Sequence, residues 1–210
     1  MELSSNLPEQ QQTLDPRKHG RTLQVDFSWK RFKALITEKG DSDSRPLYIV
    51  DFKAFKPHLV FKSGADGSTI GTGTLHTVSI NADCELRGKP IKLEAMKRFK
   101  TEYSHLSQAY SDTDEPVPLR WTSGCGFKTW DFICVDSQES PVAKFSANIW
   151  ATKKIGNIEF LGPKANSEAL REEIMVTGLT LFYCMVLRMN NIFSLFGAIF
   201  SKPGHHEKEA

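Results

Sequence analysis

The stretch that decides the fold of this chain is residues 174–201, IMVTGLTLFYCMVLRMNNIFSLFGAIFS, in which Arg188 is the single charged residue. The run is compatible with a helix. A helix that is hydrophobic on every side must be buried, either in a bilayer or in the core of a protein. Which of these surrounds the helix decides between a membrane protein and a soluble protein built around a central helix.

Length favours the core. Arg188 divides the run into uncharged pieces of about 14 and 13 residues, and at ~1.5 Å rise per residue each piece covers ~20 Å, short of the ~30 Å hydrocarbon thickness. A single span would place Arg188 near the bilayer centre at ~2.5–3.5 kcal/mol, and Asn190 and Asn191 would add to that cost. We therefore favour a core helix, and an integral membrane protein with a span over residues 174–200 is the alternative.

The sequence before the helix alternates with the period of strands. Trp130, Phe132 and Cys134 alternate with Asp131, Ile133 and Val135, and alternation with period two recurs over residues 143–150 and 48–52. Many short strands separated by turn signals indicate an antiparallel sandwich or barrel. The predicted fold is thus α+β and mainly antiparallel β: a closed barrel threaded by the hydrophobic C-terminal helix. Residues 174–187 would fill the barrel, with Glu172 and Glu173 at one mouth and Arg188 at the other.

The remainder of the chain divides by composition. Residues 1–22 are polar and predict a disordered arm. Residues 23–44 predict a short amphipathic helix and a linker, in which Asp26 is the N-cap and Gly40 follows the C-terminus. Residues 45–200 would form the barrel with its central helix, and residues 201–210 a polar tail.

Composition excludes several functions. The net charge of +2 does not indicate a nucleic-acid partner. The four cysteines show no metal or redox spacing, and no secretory signal is present, so we expect an intracellular protein. No nucleotide-binding, hydrolase or metalloprotease motif occurs. We predict no catalytic residue, no metal and no cofactor, and therefore a protein that is not an enzyme.

Four segments of the last third of the chain resemble the tubby C-terminal-like superfamily. They are WDFICVD at 130–136, PVAKF at 141–145, GNIEF at 156–160 and EEIMVTGL at 172–179. The chain looks most similar to the small fungal members and the plant LURP-one-related proteins. The resemblance implies an antiparallel barrel threaded by its C-terminal helix. The superfamily includes phosphoinositide-binding tubby domains and phospholipid scramblases, although the cysteine-rich palmitoylation segment and proline-rich arm of the scramblases are absent here.

Two basic clusters are candidate lipid-binding sites. One comprises Lys97, Arg98 and Lys100, and the other comprises Lys30, Arg31 and Lys33. Each cluster could instead be an ordinary solvated face. The sequence therefore predicts a non-enzymatic binding or adaptor module, located in the cytoplasm or at a membrane surface, whose partner is an anionic phospholipid such as a phosphoinositide, or a protein. The alternatives are a membrane-anchored, scramblase-like protein that handles lipids, and a small-ligand carrier or unrecognised enzyme. The oligomeric state is left open.

Overall fold

The computed structural model describes residues 21–28, 31–40, 45–76, 79–97, 101–125, 129–148 and 154–200. For residues 125, 129, 154–155 and 189–200 it describes the backbone only. Within these ranges the chain forms a strand-rich body followed by one long helix. The elements are β1 Thr22–Ser28, β2 Lys33–Glu38, β3 Tyr48–Phe52, β4 Leu59–Ser63, β5 Thr69–Leu75, β6 Ala82–Leu86, β7 Lys89–Ala95, β8 Glu102–Ser107, β9 Val117–Cys125, β10 Thr129–Val135, β11 Pro141–Asn148, β12 Lys154–Phe160 and α1 Glu168–Phe200.

The strands form a closed antiparallel barrel. Each strand pairs with its neighbours in sequence, and β1 also pairs with β12, with Leu23 opposite Ile158. Twelve strands spaced ~4.8 Å apart and tilted by ~40° enclose a cylinder roughly 24 Å across. That width holds a helix of ~10–12 Å together with the side chains that the wall directs inward.

The helix α1 fills this lumen. Every residue from 170 to 182 is buried, on all sides of the helix and not on one stripe. Because the closed wall of the barrel surrounds the helix, residues 170–182 are covered by the wall and not by lipid. The prediction of a barrel threaded by the C-terminal helix is confirmed. A membrane span that starts at residue 174 is not what the structure shows, because the first third of that span lies inside the barrel.

Small residues and aromatic rings set the height of the helix in the lumen. A Cβ on Gly178 would lie 3.1 Å from the ring of Trp121, and a Cβ on Gly73 of the wall would lie 2.4 Å from Thr180 Oγ1. Further along, the Phe182 ring packs against the rings of Trp130, Phe132 and Phe145, with centroids 5.4–6.4 Å apart. These close approaches leave little freedom for the helix to slide or rotate.

Polar contacts hold the beginning of the helix. The Ser167 hydroxyl accepts the N–H of Leu170 at 3.3 Å, so Ser167 is the N-cap. Two nitrogens of Arg87 donate to the Glu172 carboxylate at 2.7 Å each. Glu173 lies 3.2 Å from Nε2 of the buried His105.

At the other end, Arg188 donates to the hydroxyl of Tyr103 and to the carbonyl of Ile80. The acidic pair and Arg188 therefore lie at opposite ends of the lumen, as the sequence predicts.

The predicted amphipathic helix within residues 23–44 is wrong. The structure has strands β1 and β2 there, paired so that Val25 lies opposite Ile36. The side chains that enter the lumen alternate with period two, and Ala34 and Ile36 are fully buried. Phe32, which would belong to the apolar face of the predicted helix, is instead 63% exposed in the connection. Pairing across the closing seam overrides the local helical pattern, and the barrel begins at β1 and not at residue 45.

Two further predictions concern residues beyond the described ranges. The disordered arm falls almost wholly in residues 1–20 and the polar tail is residues 201–210, so both lie outside them. In the part of the chain that the structure describes, no helix is long and apolar enough to cross a membrane.

Candidate functional site

The barrel has two mouths, which strand direction distinguishes. Because consecutive strands are antiparallel, their connections lie alternately at one mouth and at the other. We call the mouth at which α1 begins the N-mouth, and the mouth at which α1 leaves the C-mouth. The described residues of the connections at the C-mouth are 31–32, 53–58, 76, 79–81, 96–97 and 101. Those of the connections at the N-mouth are 39–40, 45–47, 64–68, 87–88, 108–116, 136–140 and 161–167.

The two mouths differ sharply in the charge of their connections. The described residues of the C-mouth connections include no Asp or Glu. Their basic residues are Arg31, Lys53, Lys56 and Lys97. The described residues of the N-mouth connections carry the opposite balance. Their acidic residues are Asp66, Asp112, Asp114, Glu115, Asp136 and Glu139, against Lys39, Arg45, Arg87 and Lys164. Among the described connections, one mouth is thus basic and the other acidic.

Exposed apolar side chains also lie at the C-mouth. Phe55 is 85% exposed, Phe32 63%, Met96 57% and Ile80 37%. Each belongs to a different connection, and these connections follow one another around half of the rim. Exposed apolar side chains that share one end with cations are typical of surfaces that bind membranes or other proteins.

The structure describes half of the candidate residues that the sequence singled out. Arg31 is exposed in the β1–β2 connection. Lys33 begins β2, with its Nζ 3.4 Å from Asp51, and Lys97 lies 2.9 Å from Glu102. Lys30, Arg98 and Lys100 lie outside the described residues.

Arg31 and Lys97, described members of the two predicted clusters, share one mouth but are far apart around it. In the order of strands around the barrel, the β1–β2 and β7–β8 connections lie on opposite sides of the rim. They therefore do not form one compact pocket.

The two paired lysines are partly neutralised, whereas three other cations are not. Hydrogen bonds from Lys97 and Arg120 hold the pKa of the Glu102 carboxyl below its usual value, so this carboxylate stays charged beside Lys97. Among the described residues, Arg31, Lys53 and Lys56 form no ion pair and are exposed. These three residues are the free positive charges of the described rim.

A histidine at the same mouth does not add to this charge. Burial, together with the nearby charge of Lys56, lowers the pKa of His58. Its Nδ1 accepts the N–H of Leu75 at 3.1 Å, which requires that nitrogen to be unprotonated. His58 is therefore neutral near pH 7 and helps to shape the β3–β4 connection.

Nothing in the described part of the chain points to a reactive centre. Burial raises the pKa of the Cys84 thiol to about 12 and also raises the pKa values of Cys134 and Cys184. Such thiols stay protonated and are poor nucleophiles. Cys134 and Cys184 are core residues. No group of three metal-binding side chains occurs among the described residues, and α1 occupies the lumen in which a small ligand would bind in other barrels.

Sequence reasoning missed the β3–β4 connection, KAFKPH at residues 53–58. It combines two lysines with an exposed phenylalanine, as WKRFK at 29–33 and MKRFK at 96–100 combine cations with aromatic residues. This shared composition was a usable signal. The composition alone does not show that the three connections lie at the same mouth. That follows only when an even number of strands separates each connection from the next.

Comparison of the chain with protein-family models, with curated proteins and with solved structures finds no match. The similarity to the tubby superfamily is therefore still a prediction from the sequence.

Proposed function

We propose that this protein is a non-catalytic barrel of the tubby-like type that binds anionic membrane surfaces through its C-mouth. One observation carries the proposal: the described residues of the connections at this mouth include cations and exposed apolar side chains and no acidic residue. The opposite, acidic mouth would be repelled by the same surface. The charge asymmetry thus supplies an orientation as well as an attraction.

The expected attraction is large enough to matter. A Lys or Arg near an anionic leaflet contributes about 1 kcal/mol, falling off within a Debye length. Arg31, Lys53 and Lys56 alone would contribute about 3 kcal/mol on this basis, or roughly a hundredfold in affinity. Exposed phenylalanines such as Phe32 and Phe55 add to binding when they enter the interfacial region.

The geometry favours a flat surface over a single headgroup. The described cations lie on a rim roughly 24 Å across, and Arg31 and Lys97, one from each basic cluster of the sequence, lie on opposite sides of it. A single phosphoinositide headgroup would reach one cluster at a time. We therefore propose that the mouth responds mainly to the charge density of the leaflet, and that phosphoinositides act as strongly charged lipids and not as a unique ligand.

Vesicle co-sedimentation with a charge-reversal variant tests the proposal. The variant R31E/K53E/K56E removes the three free cations of the C-mouth. The control K39E/R45E/K89E makes the same change in net charge with exposed residues at the N-mouth. We expect wild-type protein to pellet with phosphatidylcholine vesicles that contain phosphatidylserine or a phosphoinositide bisphosphate, and not with pure phosphatidylcholine. The C-mouth variant should bind about a hundredfold more weakly, and the control should bind within about threefold of wild type.

Equal losses in the two variants would show that net charge alone drives binding, and the C-mouth would then have no special role. A strong preference for the phosphoinositide over phosphatidylserine at equal surface charge would instead indicate a headgroup pocket. If the wild-type protein pellets with no vesicle, the proposal fails, and an acidic protein partner becomes the better explanation of the basic mouth.

A further inference from the structure

The helix α1 does not stop at the C-mouth. Arg188 marks the rim, because its guanidinium donates to Tyr103 and to the carbonyl of Ile80, which lies in the β5–β6 connection. The helix nevertheless continues to Phe200. The twelve residues after Arg188 span ~18 Å at ~1.5 Å per residue, so this part of the helix projects beyond the barrel. We call residues 189–200 the helical tail.

The composition of the helical tail does not suit water. By sequence it contains no charged residue, and its most polar residues, Asn190 and Asn191, come second and third after Arg188. Beyond them the large apolar residues are Ile192, Phe193, Leu195, Phe196, Ile199 and Phe200. The part of the helix that fills the lumen ends at Arg188, so the barrel does not need the helical tail as a filler. The tail therefore needs another apolar environment.

Its length fits one leaflet. The hydrocarbon core of a bilayer is ~30 Å thick, so one leaflet offers ~15 Å. With the rim at the level of the headgroups, Asn190 and Asn191 lie in the interfacial region along the helix axis, and the segment from Ile192 onward extends into the acyl chains. A tail of ~18 Å cannot cross the whole bilayer.

We propose that the helical tail inserts into one leaflet of an anionic membrane while the basic rim of the C-mouth lies on the headgroups. This inference rests on the proposed function and adds a second mode of attachment to the same mouth. The partner is the acyl-chain region of the leaflet, and the cations around the tail select a leaflet that is negatively charged. Attachment through one weak apolar anchor and one charged patch is stronger than either alone.

The two modes differ in their response to salt. At about 1 M salt the Debye length is ~3 Å, so the attraction of the rim is screened, whereas apolar insertion is not weakened. Binding of the wild-type protein to phosphatidylserine-containing vesicles should therefore weaken but persist at high salt. A rim without an inserted tail would release completely.

The test uses the full-length chain with F196Q/I199Q, which removes two large apolar side chains without changing the charge. S194Q is the matched control, because it places the same amide at a position that is already polar. At low salt, about 0.1 M, the double variant should keep binding through its rim, although about tenfold or more weakly than wild type. At about 1 M salt it should release fully, while wild type and S194Q stay bound. Thermal unfolding confirms that the barrel is intact in each variant.

Three outcomes would overturn the inference. If wild-type protein releases completely at high salt but binds at low salt, the rim binds and the tail does not insert, so the proposed function stands alone. If F196Q/I199Q behaves as wild type at both salt concentrations, the tail has no lipid contact. If the wild-type protein is a dimer without vesicles and the double variant becomes a monomer with unchanged vesicle binding, a second copy of the chain covers the tail.

The result also separates the inference from the proposed function. Binding to neutral and anionic vesicles alike, abolished by F196Q/I199Q and unaffected by R31E/K53E/K56E, would mean that the tail inserts but the rim does not attract anionic lipid. The proposed function would then fail, and of the inference only the insertion itself would survive.

Discussion

Arg87 shows at the scale of one residue how the wall holds the helix. It occupies the first position of the two-residue turn between β6 and β7, with φ of 49°, and Gly88 follows with φ of 78°. Two positive φ values are typical of the type I′ turn that suits a twisted hairpin, in which Asn or Asp commonly precedes Gly. An arginine is disfavoured there by its backbone conformation. Its guanidinium compensates by forming two charge-assisted hydrogen bonds to the buried Glu172.

Asp51 gives a residue-scale prediction about pH. It accepts hydrogen bonds from Lys62 at 2.7 Å and lies 3.4 Å from Lys33 Nζ. Burial acts to raise the pKa of the Asp51 carboxyl, but the two lysines outweigh it, and the pKa lies below its usual value. Since the folded pKa is lower than the unfolded one, the stabilisation is fully present above about pH 4 and is lost as the pH falls through the depressed folded pKa.

We therefore expect Asp51→Asn to lower the free energy of unfolding by about 1 kcal/mol near pH 7. The difference from wild type should shrink as the pH is lowered to about 3. Urea unfolding at both pH values measures it, with Asp114→Asn, an exposed loop residue, as the control that should show little change. A difference that is independent of pH would contradict the assigned pKa shift.

At the scale of elements, the fit between helix and wall depends on glycines. Gly73 of β5 lies opposite Thr180 of α1, and a Cβ added there would be 2.4 Å from Thr180 Oγ1 and 3.1 Å from Thr180 Cγ2. Overpacking of this kind costs about 2 kcal/mol. Gly73→Ala should therefore lower the free energy of unfolding by about that amount. Gly124→Ala is the control, because nothing lies within 4 Å of its added Cβ.

A second substitution tests whether the clash is the cause. Thr180→Ala removes the two atoms nearest to the new methyl group and leaves only Leu59 Cβ, at 3.3 Å. The double variant G73A/T180A should therefore be more stable than the two single losses would give by addition. A double-mutant cycle from urea unfolding measures this coupling. Additive losses would mean that Gly73 is needed for its backbone and not for the contact with Thr180.

The elements also show why one part of the fold was predictable and another was not. A helix that is apolar on all sides has few environments, and residues 174–187 together with the alternation in β10 and β11 indicated the barrel with its central helix. Residues 26–36 offered two periods at once. Trp29, Phe32, Leu35 and Ile36 have helical spacing, whereas Val25 and Ala34 enter the lumen as strand residues. The pairing of β1 with β12, which closes the sheet, selects the strand period over the helical one. β12 lies more than a hundred residues further along the chain, so the local sequence does not show this pairing.

The candidate site was predictable only in composition. The basic clusters at residues 30–33 and 97–100 are visible in the sequence, but the common mouth of Arg31 and Lys97 follows from the parity of the strands between them. Because the sequence predicts a helix in place of β1 and β2, the number of strands between the two clusters could not be counted correctly. The clusters could therefore be identified as cationic, yet not placed relative to each other or to the exposed phenylalanines Phe32 and Phe55.

For the whole molecule, barrel and helix depend on each other. Without α1 the wall would enclose an empty lumen lined with aromatic side chains, and without the wall residues 170–182 would expose an apolar helix to water. Neither part is stable alone on this reasoning, so we expect a single cooperative unit in which helix and strands unfold together.

Leu179 tests this coupling, since it lies in the middle of the buried helix and is 1% exposed. Leu179→Ala should lower stability by about 2–5 kcal/mol, the usual cost of a cavity in a core. Hydrogen exchange should show the same loss of protection for the amides of residues 170–182 and for those of β10 and β11, because both open only in global unfolding. Leu106→Ala is the control, because Leu106 is 60% exposed on β8 and its loss should change stability by about 0.5 kcal/mol or less. If the helix amides lost protection while the strand amides kept it, the helix would be able to leave an intact barrel, and the lumen could then open to a ligand.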